Sequence, residues 1–349
     1  MNNLIKPNRW LLIIALLLIP VLFLSSCSGT RSEANQISPT SISPSAAAAK
    51  VGAPREETTT AVPPIILPTI FPTLTKFVPP YPTPSLTARS DSKIYTCNTP
   101  GRIQLGAFPS QITGELMNYR IYLPPCYSED KRTYPVIYLF HGSFHTDSHW
   151  DDLGIDETAE ILITRGEIPP VLIIMQDGRE IFQETSGGPS SFEGVILREL
   201  VPYIEHNFCA WRDPSGRAIG GLSRGGYWAL EIAFRNPQNF QSVGGHSAAL
   251  LDESAGSEYD PMVTAQKSNI DDLRIYLDAG RNDYVLSPLL EFHELLLEVD
   301  IDHQWVLNEG GHEDNYWSAH LKDYLNWYTD PWPAERALYP TCSLESPDR

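Results

Sequence analysis

From Lys93 to the C-terminus, short apolar runs alternate with stretches of helical spacing. Leu116–Leu123 (LMNYRIYL) alternates apolar with polar and stops at Pro124-Pro125, as an edge strand does, because proline has no amide to offer a neighbour. Val136–Phe140 (VIYLF) and Val171–Met175 (VLIIM) are apolar throughout. A strand covered by helices on both faces needs apolar side chains in both directions, so these read as buried parallel strands. Arg217–Leu222, Ser242–His246, Arg274–Asp278 and Gln304–Leu307 read as further strands. Between them Asp156–Thr164, Ser190–Asn207, Gly225–Arg235, Pro288–Val299 and Asp314–Tyr328 read as helices. Ser190 or Ser191 is the expected cap of the second, with Glu193 near the capping-box position. This alternation predicts one α/β domain over residues 93–349, with a mainly parallel central sheet and helices on both faces.

The first 92 residues are different material. Lys6 and Arg9 precede an apolar run, Trp10–Leu24, which leads into Leu24-Ser25-Ser26-Cys27. A charged start, an apolar stretch and small residues before a break make a secretory signal. The tetrad resembles a bacterial lipobox, which implies a signal peptide over residues 1–26, cleavage before Cys27 and a lipid on its thiol. The run falls short of the ~20 residues that cross a bilayer as a helix, and Pro20 interrupts it. The alternative is an uncleaved anchor in which Cys27 is incidental. Residues 27–92 hold 11 of the 30 prolines among Ser, Thr and Ala, a composition that predicts a disordered linker. Fully extended, it would reach on the order of 200 Å. The expected location is therefore extracytoplasmic, at a bacterial cell surface or in the periplasm, with the membrane as partner through the N-terminal lipid.

Charge sharpens the division. The 349 residues carry 25 Lys+Arg against 43 Asp+Glu, a net of −18. Met1–Ser92 holds seven basic and four acidic residues, +3, so the body carries −21. Such a body argues against nucleic acid as a partner, since binding phosphates takes basic groups. An apolar content of 42% excludes a wholly disordered chain. With Cys27 assigned to lipid, Cys97, Cys126, Cys209 and Cys342 remain, and an even number in an exported domain predicts two disulfides. Cys97 and Cys126 bracket a segment that reads as a hairpin, which favours that pair and leaves Cys209 with Cys342 to tie down the tail. No pair has C-x-x-C spacing, so nothing supports a structural zinc or redox centre.

The chemistry concentrates where strands end. Arg217–Leu222 runs into Gly221-Leu222-Ser223-Arg224-Gly225-Gly226, a G-x-S-x-G sequence between a strand and a helix. A serine on so tight a turn has a strained backbone, and flanking glycines remove the clashes of a Cβ. Its hydroxyl then projects at the carboxyl edge of the sheet, and the first amide of the next helix points toward it as an oxyanion donor. A serine nucleophile needs a base, and the base an orienting carboxylate, here in the chain order Ser, Asp, His. His312 follows the strand Gln304–Leu307 and precedes the last helix, which makes it the best base among nine histidines. Asp278 and Asp283 compete as the acid. Asp278 ends a strand, whereas Asp283 lies in the loop beyond Gly280 with the reach to meet a histidine, and is preferred.

At these residues the body resembles an esterase family of α/β-hydrolases. That family includes esterase D (S-formylglutathione hydrolase), feruloyl and acetylxylan esterases, enterochelin esterase-like proteins and mycobacterial mycolyltransferases. The resemblance is carried by Tyr122-Leu123-Pro124-Pro125, Tyr138-Leu139-Phe140-His141-Gly142, Ala218 to Gly226, Asp278 to Asp283, and Gly310-Gly311-His312-Glu313-Asp314, within Met117 to Tyr328. It implies the α/β-hydrolase fold, with Ser223 as nucleophile, Asp283 as acid and His312 as base. It also implies an oxyanion hole built from the backbone amides of Ser143 and Arg224, with no cofactor. Arg224 stands where many relatives have methionine, and its guanidinium would either favour acidic substrates or pair with an acidic neighbour. His141, His145 and His149 recur at a spacing of four, but Gly142 and Ser143 argue against the helix that would make this a metal face, so no metal is expected. Trp150, Trp228 and Trp317 either line a sugar or aromatic pocket or pack the core.

The expected function is an exported, lipid-anchored serine esterase acting on a small-molecule or polysaccharide-linked ester through an acyl-enzyme. The alternatives are an acyltransferase onto a glycan or lipid acceptor, a peptidase on the same fold, or a non-catalytic surface binding module. A complete Ser/Asp/His set counts against the last.

Overall fold

The computed structural model describes residues 97–344, except 128, 185–186 and 252–254. The expected signal peptide over residues 1–26, the expected lipid acceptor Cys27 and the expected linker over residues 27–92 lie outside the described residues.

Eight strands form one sheet: β1 (Arg102–Pro109), β2 (Leu116–Leu123), β3 (Val136–Phe140), β4 (Leu172–Gln176), β5 (Arg217–Leu222), β6 (Ser242–His246), β7 (Arg274–Gly280) and β8 (Gln304–Asn308). Their order is β1-β2-β4-β3-β5-β6-β7-β8. β1 and β2 run antiparallel at one edge, and every pairing from β4 to β8 is parallel. The helices are α1 (His149–Asp152), α2 (Ile155–Thr164), α3 (Phe192–Gly194), α4 (Val201–Asn207), α5 (Arg224–Arg235), α6 (Pro261–Thr264), α7 (Leu286–Glu298) and α8 (Asp314–Thr329).

The apolar strands show why the sheet must be covered twice. In β3, Val136, Tyr138 and Phe140 join one core cluster with residues of α5 and α7, while Ile137 and Leu139 join a second with α2 and α8. β4 divides likewise, Leu172 and Ile174 to one side and Ile173 and Met175 to the other. Side chains alternate across a strand, so a continuous apolar run supplies both layers.

The segment read as one helix, Ser190–Asn207, is in three pieces. Ser191 caps α3 by accepting the Glu193 amide at 3.2 Å, and a π-helical stretch, Val195–Leu200, joins α3 to α4. Pro202 opens α4 and has no amide with which to continue an α-helical ladder, so the widened register falls just before it. Glu193 makes no capping box. Its buried carboxylate accepts from the Gly188 amide, Arg235 and Asn236 instead.

The four cysteines pair as Cys97–Cys126 and Cys209–Cys342, the second closing a sequence separation of 133 residues. Tyr134, just before β3, donates its amide to Cys209 at 2.7 Å, so this disulfide lies at the amino edge of the parallel strands, opposite their carboxyl ends.

Candidate active site

β5 ends at Leu222 and α5 begins at Arg224, leaving Ser223 alone to make the turn. Its backbone is at φ 56°, ψ −121°, a conformation that costs a non-glycine residue on the order of 1–3 kcal/mol. The surroundings hold it there. Its amide donates to the carbonyl of His246 at 2.9 Å, and its carbonyl accepts from Ala249 at 2.9 Å. A Cβ on Gly221 would strike the backbone of Gly225, and one on Gly225 would strike the carbonyl of Phe140. The elbow therefore closes only with glycine at both positions.

Two further strand ends deliver the partners. His312, in the loop after β8, faces Ser223 with Nε2 lying 2.8 Å from Oγ. Its Nδ1 lies 2.9 and 3.2 Å from the two oxygens of Asp283, in the loop after β7. Asp283 also accepts from the Val285 amide at 2.9 Å. Burial pushes this carboxyl up, but the hydrogen bonds from His312 and Val285 outweigh it and hold the group below the ordinary aspartate value. An ionised Asp283 keeps the His312 proton on Nδ1 and leaves Nε2 facing Ser223 with a lone pair. Trp317 stands edge-on to the imidazole, centroids 5.0 Å apart, and Tyr284 packs beside it at 4.3 Å.

Asp278, the competing acid, is engaged elsewhere. It is fully buried, with Oδ1 lying 2.8 Å from Nδ1 of His246, and Oδ2 accepting from Tyr316 at 2.7 Å and Tyr324 at 2.9 Å. This second His–Asp pair lies beneath the elbow and never meets Ser223 Oγ. Asp278 ends up here because it still belongs to β7, which runs on to Gly280.

Ser143, Ser223 and Arg224 line one cleft of about 320 Å³ together with Ala249, Leu251 and Tyr284. The two expected oxyanion donors thus flank the serine. Leu251 and Tyr284 were not anticipated from sequence, although Tyr284 directly follows Asp283. Both are largely exposed, as is Phe144 beside Ser143, so the serine lies in an open cleft with an apolar rim. The Arg224 guanidinium lies against the loop after β4 and secures it, donating to the carbonyls of Phe182 and Gln183, each at 2.8 Å. Trp150, Trp228 and Trp317 are core residues, with the Trp150 indole donating to Phe140 and that of Trp228 to Phe182.

His141 is buried, and burial pushes its imidazole down to about 4. Nδ1 donates to the Gly142 carbonyl at 2.6 Å and Nε2 accepts the Gly178 amide at 2.9 Å, so both nitrogens are used in shaping the loop after β3. His293 is half-buried, with Nδ1 lying 2.6 Å from Nε2 of His303.

A serine on a strand-to-helix elbow, joined through histidine to an aspartate at the carboxyl edge of a parallel sheet, defines an α/β-hydrolase. The family model described as "Putative esterase" matches residues 110–328, and the chain belongs to that family. An esterase of Mycobacterium tuberculosis is 29% identical over 255 residues, covering 59% of this chain and 54% of that protein. An endo-1,4-beta-xylanase/feruloyl esterase of Xylanibacter ruminicola is 34% identical over 149 residues, 40% of this chain and 20% of its own length. The chain thus spans about half the length of the mycobacterial relative, and less of the second. Among solved structures, a ferulic acid esterase superposes with a TM-score of 0.62 at 23% identity, covering 67% of this chain and 99% of that one. S-formylglutathione hydrolase from Staphylococcus aureus superposes with a TM-score of 0.57 at 19% identity, covering 66% and 99%. These likenesses extend the fold over the described body.

Proposed function

We propose that this protein is a serine carboxylic-ester hydrolase that works through an acyl-enzyme on Ser223. The observation that carries the reading is the unbroken chain of contacts from Ser223 Oγ through His312 to Asp283. As Oγ attacks the ester carbonyl, its proton passes to His312 Nε2. The imidazolium so formed is stabilised by Asp283 and gives the proton to the departing alcohol. The carbonyl oxygen, now an anion, lies between the amides of Ser143 and Arg224, each worth roughly 3 kcal/mol of barrier. Water then enters, His312 removes its proton, and the acyl group leaves as an acid. No step calls on a cofactor.

The substrate is an ester with an apolar or aromatic group that lies against Phe144, Leu251 and Tyr284. The feruloyl esterases among the similar proteins support this reading, and the open cleft suits an ester attached to a larger carrier. Export and lipid anchoring at Cys27 belong to the same proposal. They are supported by the sequence Leu24-Ser25-Ser26-Cys27 and by two disulfides, which persist in oxidising compartments.

The test is hydrolysis of p-nitrophenyl acetate, butyrate and ferulate by the wild type and by Ser223→Ala. Turnover lost in the variant supports the proposal. A folded wild type that turns over none of the three esters and does not react with a fluorophosphonate would sink it.

A further inference from the structure

We propose that His145, His149 and Asp314 form a binding site for a divalent transition-metal ion of the zinc class, and that the ion acts on the loop carrying Ser143. The three side chains come from two separate segments. His145 and His149 belong to the loop after β3 and the start of α1, while Asp314 opens α8 two residues beyond His312. Each offers one ligand atom, and these atoms all lie within 4.8 Å of one another. Imidazole nitrogen and carboxylate oxygen are the donor set that zinc and its neighbours prefer.

The site is partly assembled without an ion. His149 is buried and its Nε2 lies 3.0 Å from Oδ1 of Asp314. The His145 ring stacks on that of His149, centroids 3.6 Å apart and 9° from parallel. Ligand atoms around a tetrahedral zinc stand about 3.4 Å apart at the usual bond lengths. Closing the remaining distance takes a rotation of His145, which is exposed and free of packing constraints on one side. Asp314 is exposed too, so the ion comes in from solvent. Three protein ligands leave a fourth position for water. His141, from the same run of histidines, is excluded because both its nitrogens already hold backbone groups.

The coupling follows from counting protons on His149. Its Nδ1 accepts the Gly142 amide at 3.4 Å, so the neutral ring carries its proton on Nε2 and donates to Asp314. An ion at Nε2 takes that position. The neutral ring must then carry its proton on Nδ1, where it faces the Gly142 N–H. Two donors cannot share the contact, and the Gly142 peptide moves. Gly142 immediately precedes Ser143, whose amide serves the oxyanion under the function proposed above. Bound metal is therefore expected to lower ester turnover, and this half of the proposal rests on that reading.

The test uses purified, untagged full-length protein. Co²⁺ is titrated and followed by visible absorption, Zn²⁺ displaces it, and p-nitrophenyl acetate turnover is recorded with Zn²⁺ and after EDTA. A saturable one-to-one Co²⁺ signal is expected in the wild type, weakened more than roughly tenfold in His145→Ala and in Asp314→Asn. Wild-type turnover should fall with rising Zn²⁺ and recover with EDTA. In His145→Ala the ratio of rates with and without Zn²⁺ should stay near one. His293→Gln, which breaks the other close histidine pair, should keep the Co²⁺ signal. No saturable signal, a signal equal in wild type and His145→Ala, a signal lost in His293→Gln, or binding that leaves turnover unchanged would overturn the proposal. Co²⁺ binding is read independently of esterase activity, so an inactive protein would not disguise a missing site.

Discussion

Gly280 packs directly against the carbonyl of Gly310, so closely that a Cβ on Gly280 would collide with it. The two loops around this contact are also bonded backbone to backbone, Arg281 to Asn308 and Asn282 to Gly310, both at 2.8 Å. One loop carries Asp283 and the other His312. Gly280→Ala is expected to separate them. A misplacement of about 1 Å costs roughly 10²-fold in rate, so kcat should fall by about that much. Steady-state kinetics beside circular dichroism tests this. A variant with wild-type kcat would show that the glycine contact does not set the spacing of the pair.

Asp283→Asn tests the orienting role of the carboxylate. The amide cannot hold His312 in the required tautomer, and losses of that kind are roughly 10⁴-fold in kcat. Asp278→Asn should behave differently. It keeps one acceptor oxygen and turns the other into an NH2 donor that faces either the fully buried His246 or the two tyrosines, so the expected effect is a loss of stability of several kcal/mol, on the order of breaking a buried pair. Denaturant unfolding and kinetics on both variants separate the roles, and equal kinetic effects in well-folded variants would contradict the assignment.

Buried Glu231 gives a prediction in pH. Desolvation, and the neighbouring Glu193, raise its carboxyl well above the ordinary value in the folded state, against the pull of Arg235 at 3.1 Å. Below the ordinary glutamate value, about 4.3, the group is neutral in both states and costs nothing. Above it, the unfolded chain ionises first and binds fewer protons than the folded one, so stability falls as pH rises toward the raised value. Glu231→Gln should flatten that slope. Urea midpoints measured from pH 4 upward check it, and an unchanged slope would show that Glu231 does not set it.

The Cys209–Cys342 bond ties the tail to the amino edge of the sheet, far from the catalytic ends of the strands. Cys342→Ser should lower stability by about 2–5 kcal/mol while leaving ester turnover within twofold at a temperature where the protein stays folded. Thermal unfolding and turnover on one preparation test both halves.

Tyr284 lines the cleft, and the exposed Phe144 directly follows Ser143, which also lines it. Replacing Tyr284 and Phe144 with alanine should lower kcat/KM for p-nitrophenyl ferulate by threefold to tenfold relative to acetate, the scale of one aromatic contact at ~0.5–1.5 kcal/mol. An equal effect on both esters would place the aromatic group elsewhere.

Most of this was written locally in the chain. β2, β3, β5 and β6 keep the boundaries that their runs predict, and for the first three Pro124, Pro135 and Gly216 beside the run leave little choice. The G-x-S-x-G turn carries its glycines for a steric reason that one sequence displays. What escaped depends on contacts distant in sequence. The break at Pro202 is visible only once the π register is seen, whereas the loop position beyond Gly280 already favoured Asp283 over Asp278. The destination of the Arg224 guanidinium, two carbonyls some forty residues away, leaves no trace in the pattern around it.

The central claim is that an acyl group travels through Ser223. Rapid quenching of the reaction with p-nitrophenyl acetate, followed by proteolysis and mass spectrometry, examines that directly. The account predicts an acetyl adduct on the peptide bearing Ser223, formed at a rate that supports turnover and absent from Ser223→Ala. Continued turnover with no adduct at Ser223, or an adduct on another residue in an active protein, would contradict it.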